Sequence, residues 1–246
     1  MYHLSTYTIV FLTSITVIVI FITLIKKKKM TNQEAIRLHL TNFYRESNSK
    51  TYFSGFCGAL KDARKMTGRN ILTGSKDSSN TFGHLGSWLG TLGYLSLLDQ
   101  IGGCFKKVNG PAIESNKSGI IKALKNFSTL DDNEIDAIYA LRNSFAHDYS
   151  LNNIGHRQGL THQFIVDNSD SNPVVILPTQ NWDGTLANMS AQNTTYINLQ
   201  ALGDLIEDLI KTISGLNDNN QIEIVLSGGK EELISRYSFI TSQRVL

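Results

Sequence analysis

Apolar residues recur at intervals of three and four along most of the chain after residue 30, which is the period of an amphipathic helix. This pattern predicts helices over residues 32–48, 52–66, 82–101, 117–127 and 197–216. A further helix begins near Thr129 or Asp131, either of which can cap it, and carries acidic residues in its first turn. The polar, glycine-containing stretch over residues 67–80 predicts a loop.

Beyond residue 160 the pattern changes to short β-branched runs. The runs HQFIVDN and NPVVILP are divided by a turn-rich segment and predict a pair of strands, and IEIVLSGG predicts a third. The expected fold is therefore mainly α, with a helical bundle over residues 31–160 and a small α+β appendage over residues 161–246.

The amino terminus has a different character. Residues 7–25 are nineteen residues without a charge, long enough to cross the hydrocarbon core of a bilayer, and Lys26, Lys27, Lys28 and Lys29 follow them. The pattern predicts a transmembrane anchor over residues 1–30 and a single-pass inner-membrane protein, with residues 31–246 in the cytoplasm because lysines are retained on that side. Three alternatives remain open: residues 1–30 could include a cleaved signal peptide, translation could start at Met30, and residues 82–101 could form a second span.

The 246-residue chain has a net charge of +2, but its charges are unevenly distributed. Residues 1–30 carry four lysines and no acid, residues 31–160 carry fifteen Lys or Arg and eleven Asp or Glu, and residues 161–246 carry four and ten. A basic central segment is compatible with RNA binding without requiring it. The acidic segment could dock a partner or cover the basic segment as an autoinhibitor.

Several residue groups have simple structural interpretations. Glycines at 83, 86, 90 and 93 form a helical stripe that favours close packing or dimerisation of helices. A turn capping the next helix explains the SGGK segment at residues 227–230 better than a phosphate loop does, because the Walker spacing is absent. Packing is favoured over base stacking for Trp88 and Trp182.

The sequence does not support a metal site or a disulfide. His156 and His162 with Asp167 lack the spacing typical of metal ligands. Cys57 and Cys104 lie in apolar runs without the spacing of a disulfide scaffold or a zinc site.

The segment IYALRNSFAHDYSL contains the most informative polar residues. On a helix, Arg142 interrupts an apolar stripe, so its guanidinium must reach water or be paired. Asn143 and His147 are four residues apart and can hydrogen-bond, which would orient the imidazole. Arginine and histidine together are the minimum for metal-free RNA cleavage, because one neutralises the phosphate and the other moves a proton. These residues alone fit a snorkelling arginine and a helix-end histidine better.

The string RNSFAHDY at residues 142–149 resembles the signature of the HEPN superfamily. In that signature an arginine, usually followed by a polar residue, precedes a histidine by four to six intervening positions, and here four residues intervene. Tyr149 matches the Arg, His, Tyr variant of HEPN toxins that are paired with nucleotidyltransferase antitoxins. The motif covers eight residues, and the resemblance of its helical setting could extend over residues 31–160. The anchor and residues 161–246 are additions to the minimal HEPN domain.

The resemblance implies a metal-independent endoribonuclease that acts in phage defence or a toxin–antitoxin stress response. It implies a homodimer with one composite site for RNA, in which His147 deprotonates a ribose 2′-hydroxyl, Arg142 stabilises the charged phosphorane and Asn143 orients His147. No cofactor is implied, and an antitoxin partner could modify Tyr149 with AMP. The alternative is a HEPN-like nucleotide-binding or protein-interaction module without catalysis.

Overall fold

A computed structural model describes residues 30–41, 45–47, 50–77, 87–155, 159–168 and 173–242. Among these residues, no helix is long and apolar enough to cross a membrane. This finding contradicts the predicted single-pass inner-membrane placement and removes the transmembrane helix from the fold class; the predicted span itself, residues 7–25, lies outside the described residues. The suggested second span is instead a core helix, in which Tyr94, Leu95 and Leu98 are fully buried against other helices of the chain.

Seven α-helices and nine strands are found within the described part of the chain. The helices are α1 (Asn32–Leu40), α2 (Gly55–Met66), α3 (Ser87–Cys104), α4 (Gly119–Phe127), α5 (Asp132–Asp148), α6 (Leu199–Asp218) and α7 (Gly229–Tyr237). The strands are β1 (Arg45–Ser47), β2 (Lys50–Ser54), β3 (Phe105–Lys107), β4 (Asn152–Asn153), β5 (His162–Asp167), β6 (Val175–Ile176), β7 (Thr194–Asn198), β8 (Ile222–Ile224) and β9 (Ser238–Ser242).

Three small sheets surround the helices. β2 pairs antiparallel with both β1 and β9, β3 pairs antiparallel with β8, and the third sheet has the order β4-β5-β7-β6. Within the third sheet β5 and β7 are parallel, while the other two pairings are antiparallel. Two of the three sheets therefore join strands that are more than one hundred residues apart in the sequence.

The predicted division into a mainly α bundle and an α+β appendage is wrong. Helix α6 buries Ile206, Leu209 and Ile213 in the same hydrophobic core as α3, and β8 and β9 complete sheets begun by β3 and β2. Residues 32–246 form one compact unit of α+β type. The spacing of apolar residues in α6 identifies a buried face, but it does not say which helices cover that face.

The β1–β2 hairpin replaces helix that the sequence predicts over residues 32–48 and 52–66. Helix α1 ends at Leu40 and α2 starts at Gly55, with the strands between them. β2 forms a five-residue antiparallel register with β9, and the rings of Phe53 and Phe239 stack with centroids 5.5 Å apart. A strand partner nearly two hundred residues away overrides the local helical period.

The glycine stripe brings α3 close to another helix of the same chain. A Cβ at Gly90 would clash with the side chain of Thr67, and one at Gly93 would lie 3.0 Å from the Cβ of Ala63 on α2. Gly83 and Gly86 lie outside the described residues. The described half of the stripe therefore serves close packing within the chain.

Candidate functional site

Helix α5 carries the HEPN-like motif and is fixed at its start by a capping box. The Asp131 side chain accepts from the Glu134 amide, and the Glu134 side chain accepts from the Asp131 amide, both at 2.9 Å. The helix then buries Ile138, Leu141 and Phe145 against α3, α4 and the four-stranded sheet. The sequence places the helix and its cap correctly, and the packing leaves the polar motif residues on its accessible side.

Arg142 forms an ion pair that sequence reasoning missed. Its Nε donates to Asp99 Oδ2 at 2.6 Å, and the two side chains remain 31% and 24% exposed. Its Nη1 lies 3.5 Å from Asn143 Oδ1, and its Nη2 makes no hydrogen bond to another described residue. Asp99 therefore holds one edge of the guanidinium, and the arginine side chain remains partly exposed. Asp99 is the one charged residue in the sequence of α3, and this is the feature that could have indicated a functional role.

Asp99 is itself held in place by the packing of α3 on α4. Its second oxygen, Oδ1, accepts from the Ile120 amide at 3.1 Å in the first turn of α4. The two helices meet through glycines: a Cβ at Gly102 would clash with the Gly119 carbonyl, and a Cβ at Gly119 would clash with the Asp99 carbonyl. One carboxylate thus links the arginine to the junction of two helices.

His147 lies in the last turn of α5 and is exposed. Neither Asn143 nor any other described residue makes a hydrogen bond to its imidazole, so the predicted Asn143 contact is absent from the described contacts. Five residues along a helix correspond to about 7.5 Å of rise and roughly 140° of rotation, so Arg142 and His147 face different directions. The backbone of one α5 helix therefore does not place the two residues on the same face.

Tyr149 ends α5 in a left-handed conformation, with φ of 50° and ψ of 43°. Its ring is 47% exposed and lies 5.1 Å from Trp88 and 5.8 Å from Phe145, measured between ring centroids. Trp88 stacks on Phe145 at 4.9 Å, beside a cavity of about 150 Å³. Trp88 is therefore a partly exposed member of an aromatic cluster next to the motif.

Two other residues considered from the sequence, His162 and Trp182, have structural roles, whereas His156 lies outside the described residues. Both ring nitrogens of His162 are engaged, Nδ1 with Thr195 Oγ1 at 2.8 Å and Nε2 with the Gly159 carbonyl at 2.9 Å. The indole of buried Trp182 donates to the Thr185 carbonyl at 3.1 Å. The described residues contain no group of three side chains suited to a metal ion.

The SGGK turn is also occupied by the protein itself. The Gly228 amide donates to Glu232 Oε2 at 2.8 Å, and the Ser227 hydroxyl donates to the same oxygen at 3.3 Å. This carboxylate fills the amino-terminal end of α7, where a phosphate would otherwise bind. The cap interpretation is confirmed.

Comparisons with family models, curated proteins and solved structures give no match for this chain. The function is therefore inferred from the motif and from the contacts of its side chains.

Proposed function

We propose that the protein is a metal-independent endoribonuclease whose site is built from the α5 helices of two copies. The observation that carries this proposal is the state of Arg142: Asp99 fixes its Nε edge while the side chain stays 31% exposed. A guanidinium held in this way can bind a phosphate without losing its orientation. The same helix presents an exposed histidine five residues later.

The chemistry follows from these two groups. His147 of one copy takes the proton of a ribose 2′-hydroxyl, and the oxygen attacks the adjacent phosphorus. Arg142 stabilises the charge that develops on the phosphorane oxygens. The bond to the 5′-oxygen breaks, His147 of the other copy donates a proton to that oxygen, and a 2′,3′-cyclic phosphate remains. Two copies supply the convergence that the roughly 140° separation denies to a single helix.

The test is cleavage of total RNA by the full-length protein with EDTA present throughout. Cleavage by wild type should be lost in His147→Ala and in Arg142→Ala. Arg37→Ala is the matched control, because Arg37 is exposed on α1 and lies outside the motif helix. Cleavage that survives His147→Ala would overturn the proposal.

Tyr149 suggests how such an activity is silenced. Its half-exposed ring at the end of α5 makes the side chain accessible to a nucleotidyltransferase, and an attached AMP would add bulk and negative charge beside the phosphate-binding face. We therefore propose a toxin–antitoxin or phage-defence role. Tyr149→Phe should keep RNA cleavage and abolish labelling by a nucleotidyltransferase with radioactive ATP.

A noncatalytic binding module is the second candidate, favoured by two observations at the same site. Asp99 already neutralises Arg142, and His147 lacks an orienting partner among the described residues. On this alternative, RNA or partner binding should survive both Arg142→Ala and His147→Ala, and no RNA should be cleaved.

A further inference from the structure

A second, larger cavity lies away from the motif helix. Its volume is about 660 Å³, which falls in the range of small-ligand sites. Five segments line it: the end of α3, strand β3, the loop that leads to α4, one face of α4, and Val225 directly after β8. Neither Arg142 nor His147 lines it.

The lining of this cavity is cationic. It includes Lys106, Lys107 and Lys122 and no acidic residue. Lys107 lies 5.9 Å above the Phe127 ring and Lys122 donates to the Ser115 carbonyl at 2.7 Å, so neither ammonium is neutralised by these contacts. Lys106 pairs with Glu223 at 3.0 Å on the exposed surface. The lysines of the lining therefore lie on two elements, β3 and α4, and give the lining a net positive charge.

The cavity is held in shape by a buried amide. Asn126 is 5% exposed; its Nδ2 donates to the Lys122 carbonyl at 2.9 Å and its Oδ1 accepts from the Lys107 amide at 3.2 Å. These bonds tie the strand that carries two lysines to the helix that carries the third. A Cβ at Gly110 would lie 2.8 Å from Asn126 Oδ1, so a larger residue there would have to displace the amide or the loop.

The remaining walls are largely apolar. Pro111, Ala112, Ile113 and Val225 line the space beside the lysines. A lining that combines three lysines with several apolar residues matches a small phosphorylated molecule with a ring system. We propose that this cavity binds a nucleoside diphosphate or a closely similar phosphorylated small molecule. This site goes beyond the proposed nuclease and does not depend on it.

The glycines of two helices supply a sharp test. A Cβ at Gly103 meets nothing within 4 Å and lines the cavity, so Gly103→Leu fills ligand space without a clash at its Cβ. Gly215 on α6 also has open space around its Cβ but does not line the cavity, which makes Gly215→Leu the matched control. Lys107→Gln and Lys122→Gln test the charges, with exposed Lys211→Gln as their control.

The measurement is calorimetric titration of ADP into the full-length protein in EDTA, with melting temperatures of every variant as the check on folding. Wild type should bind ADP with an affinity that falls as salt is added, and pyrophosphate should compete. Each lining lysine variant should bind about tenfold more weakly and Gly103→Leu should lose binding, while both controls match wild type.

Three outcomes would overturn the proposal. One is a folded wild type that shows no saturable ADP binding at millimolar concentration. Another is Gly103→Leu that binds ADP as wild type does. The third is ADP binding that Lys107→Gln and Lys122→Gln leave unchanged, which would place the bound phosphates outside the cavity. None of these results depends on RNA cleavage.

Discussion

Asp99 joins Arg142 to the first turn of α4. One carboxylate oxygen accepts from Arg142 Nε at 2.6 Å, and the other accepts from the Ile120 amide at 3.1 Å. A side chain fixed at both oxygens holds the guanidinium in one orientation, which lowers the entropy lost when an anion binds. The proposed activity therefore depends on α3 as well as on the motif helix.

The first prediction concerns Asp99→Asn. The amide oxygen can still accept from Ile120, but the ion pair with Arg142 is lost, so kcat for RNA cleavage should fall by about tenfold or more. Stability should change by only about 1 kcal/mol because the pair is partly exposed.

Steady-state kinetics and thermal melts distinguish a positioning role from a structural one. Asp62→Asn, an exposed position on α2, is the control and should leave both quantities unchanged. A variant at Asp99 that keeps wild-type kcat would show that the ion pair does not position the arginine.

The second prediction uses two neighbouring glycines of α3. Gly102→Ala would drive a Cβ into the Gly119 carbonyl of α4 and should destabilise the protein by about 3 kcal/mol. Gly103→Ala has open space and should stabilise the helix by up to about 1 kcal/mol. Urea unfolding of the pair measures the difference, and equal effects would contradict the close α3–α4 packing.

Much of the helical structure could be predicted from the sequence, because apolar residues spaced three and four positions apart indicate the buried face of a helix. The acidic start of α5 and its capping residue were also predicted. Asp99 could not be paired with Arg142 from the sequence, since forty-three positions separate them and only the α3–α5 packing brings them together. The sequence also predicts helix where β1 and β2 lie, because the pairing of β2 with distant β9 is not visible in the local pattern.

The third prediction concerns acid stability. Burial lowers the pKa of His39 from 6.5 to about 3, and the ring is surrounded by Phe56, Phe105 and Tyr237. Burial also lowers the pKa of His162. As the pH falls below about 6.5, the unfolded chain binds protons at these histidines whereas the folded protein does not. The free energy of unfolding therefore decreases as the pH falls below about 6.5.

For His39 alone, the loss between pH 7 and pH 5 should be about 2 kcal/mol, measured by urea unfolding. His39→Gln should be less stable at pH 7 but should lose this part of the pH dependence. A variant with the same slope as wild type would assign the acid sensitivity to other groups.

The fourth prediction concerns the acidic carboxy-terminal region. Glu207 of α6 accepts from Arg64 Nε at 2.7 Å and from Arg64 Nη2 at 2.6 Å, with both side chains nearly buried. Because α6 also fills the core, deletion of residues 161–246 should unfold the protein rather than activate it. Acidic Glu207 thus pairs with basic Arg64 inside one compact unit. We therefore do not expect the acidic region to act as a separable autoinhibitor.

Glu207→Gln isolates the ionic part of this interface. It should cost about 3 kcal/mol of stability, because it leaves Arg64 buried without its carboxylate. Asp208→Asn, at the adjacent and exposed position, should have no measurable effect. Equal unfolding midpoints for the two variants would show that the Arg64 pair contributes no stability.

Metal-independent RNA cleavage by the 2′-hydroxyl is tested with a short RNA that has one cleavable linkage, compared in EDTA with the same oligomer bearing a 2′-deoxyribose there. Wild type should cleave the all-ribose oligomer to a 2′,3′-cyclic phosphate, the deoxy oligomer should resist, and His147→Ala and Arg142→Ala should be inactive. Cleavage of the deoxy oligomer, or undiminished cleavage by His147→Ala, would contradict this mechanism.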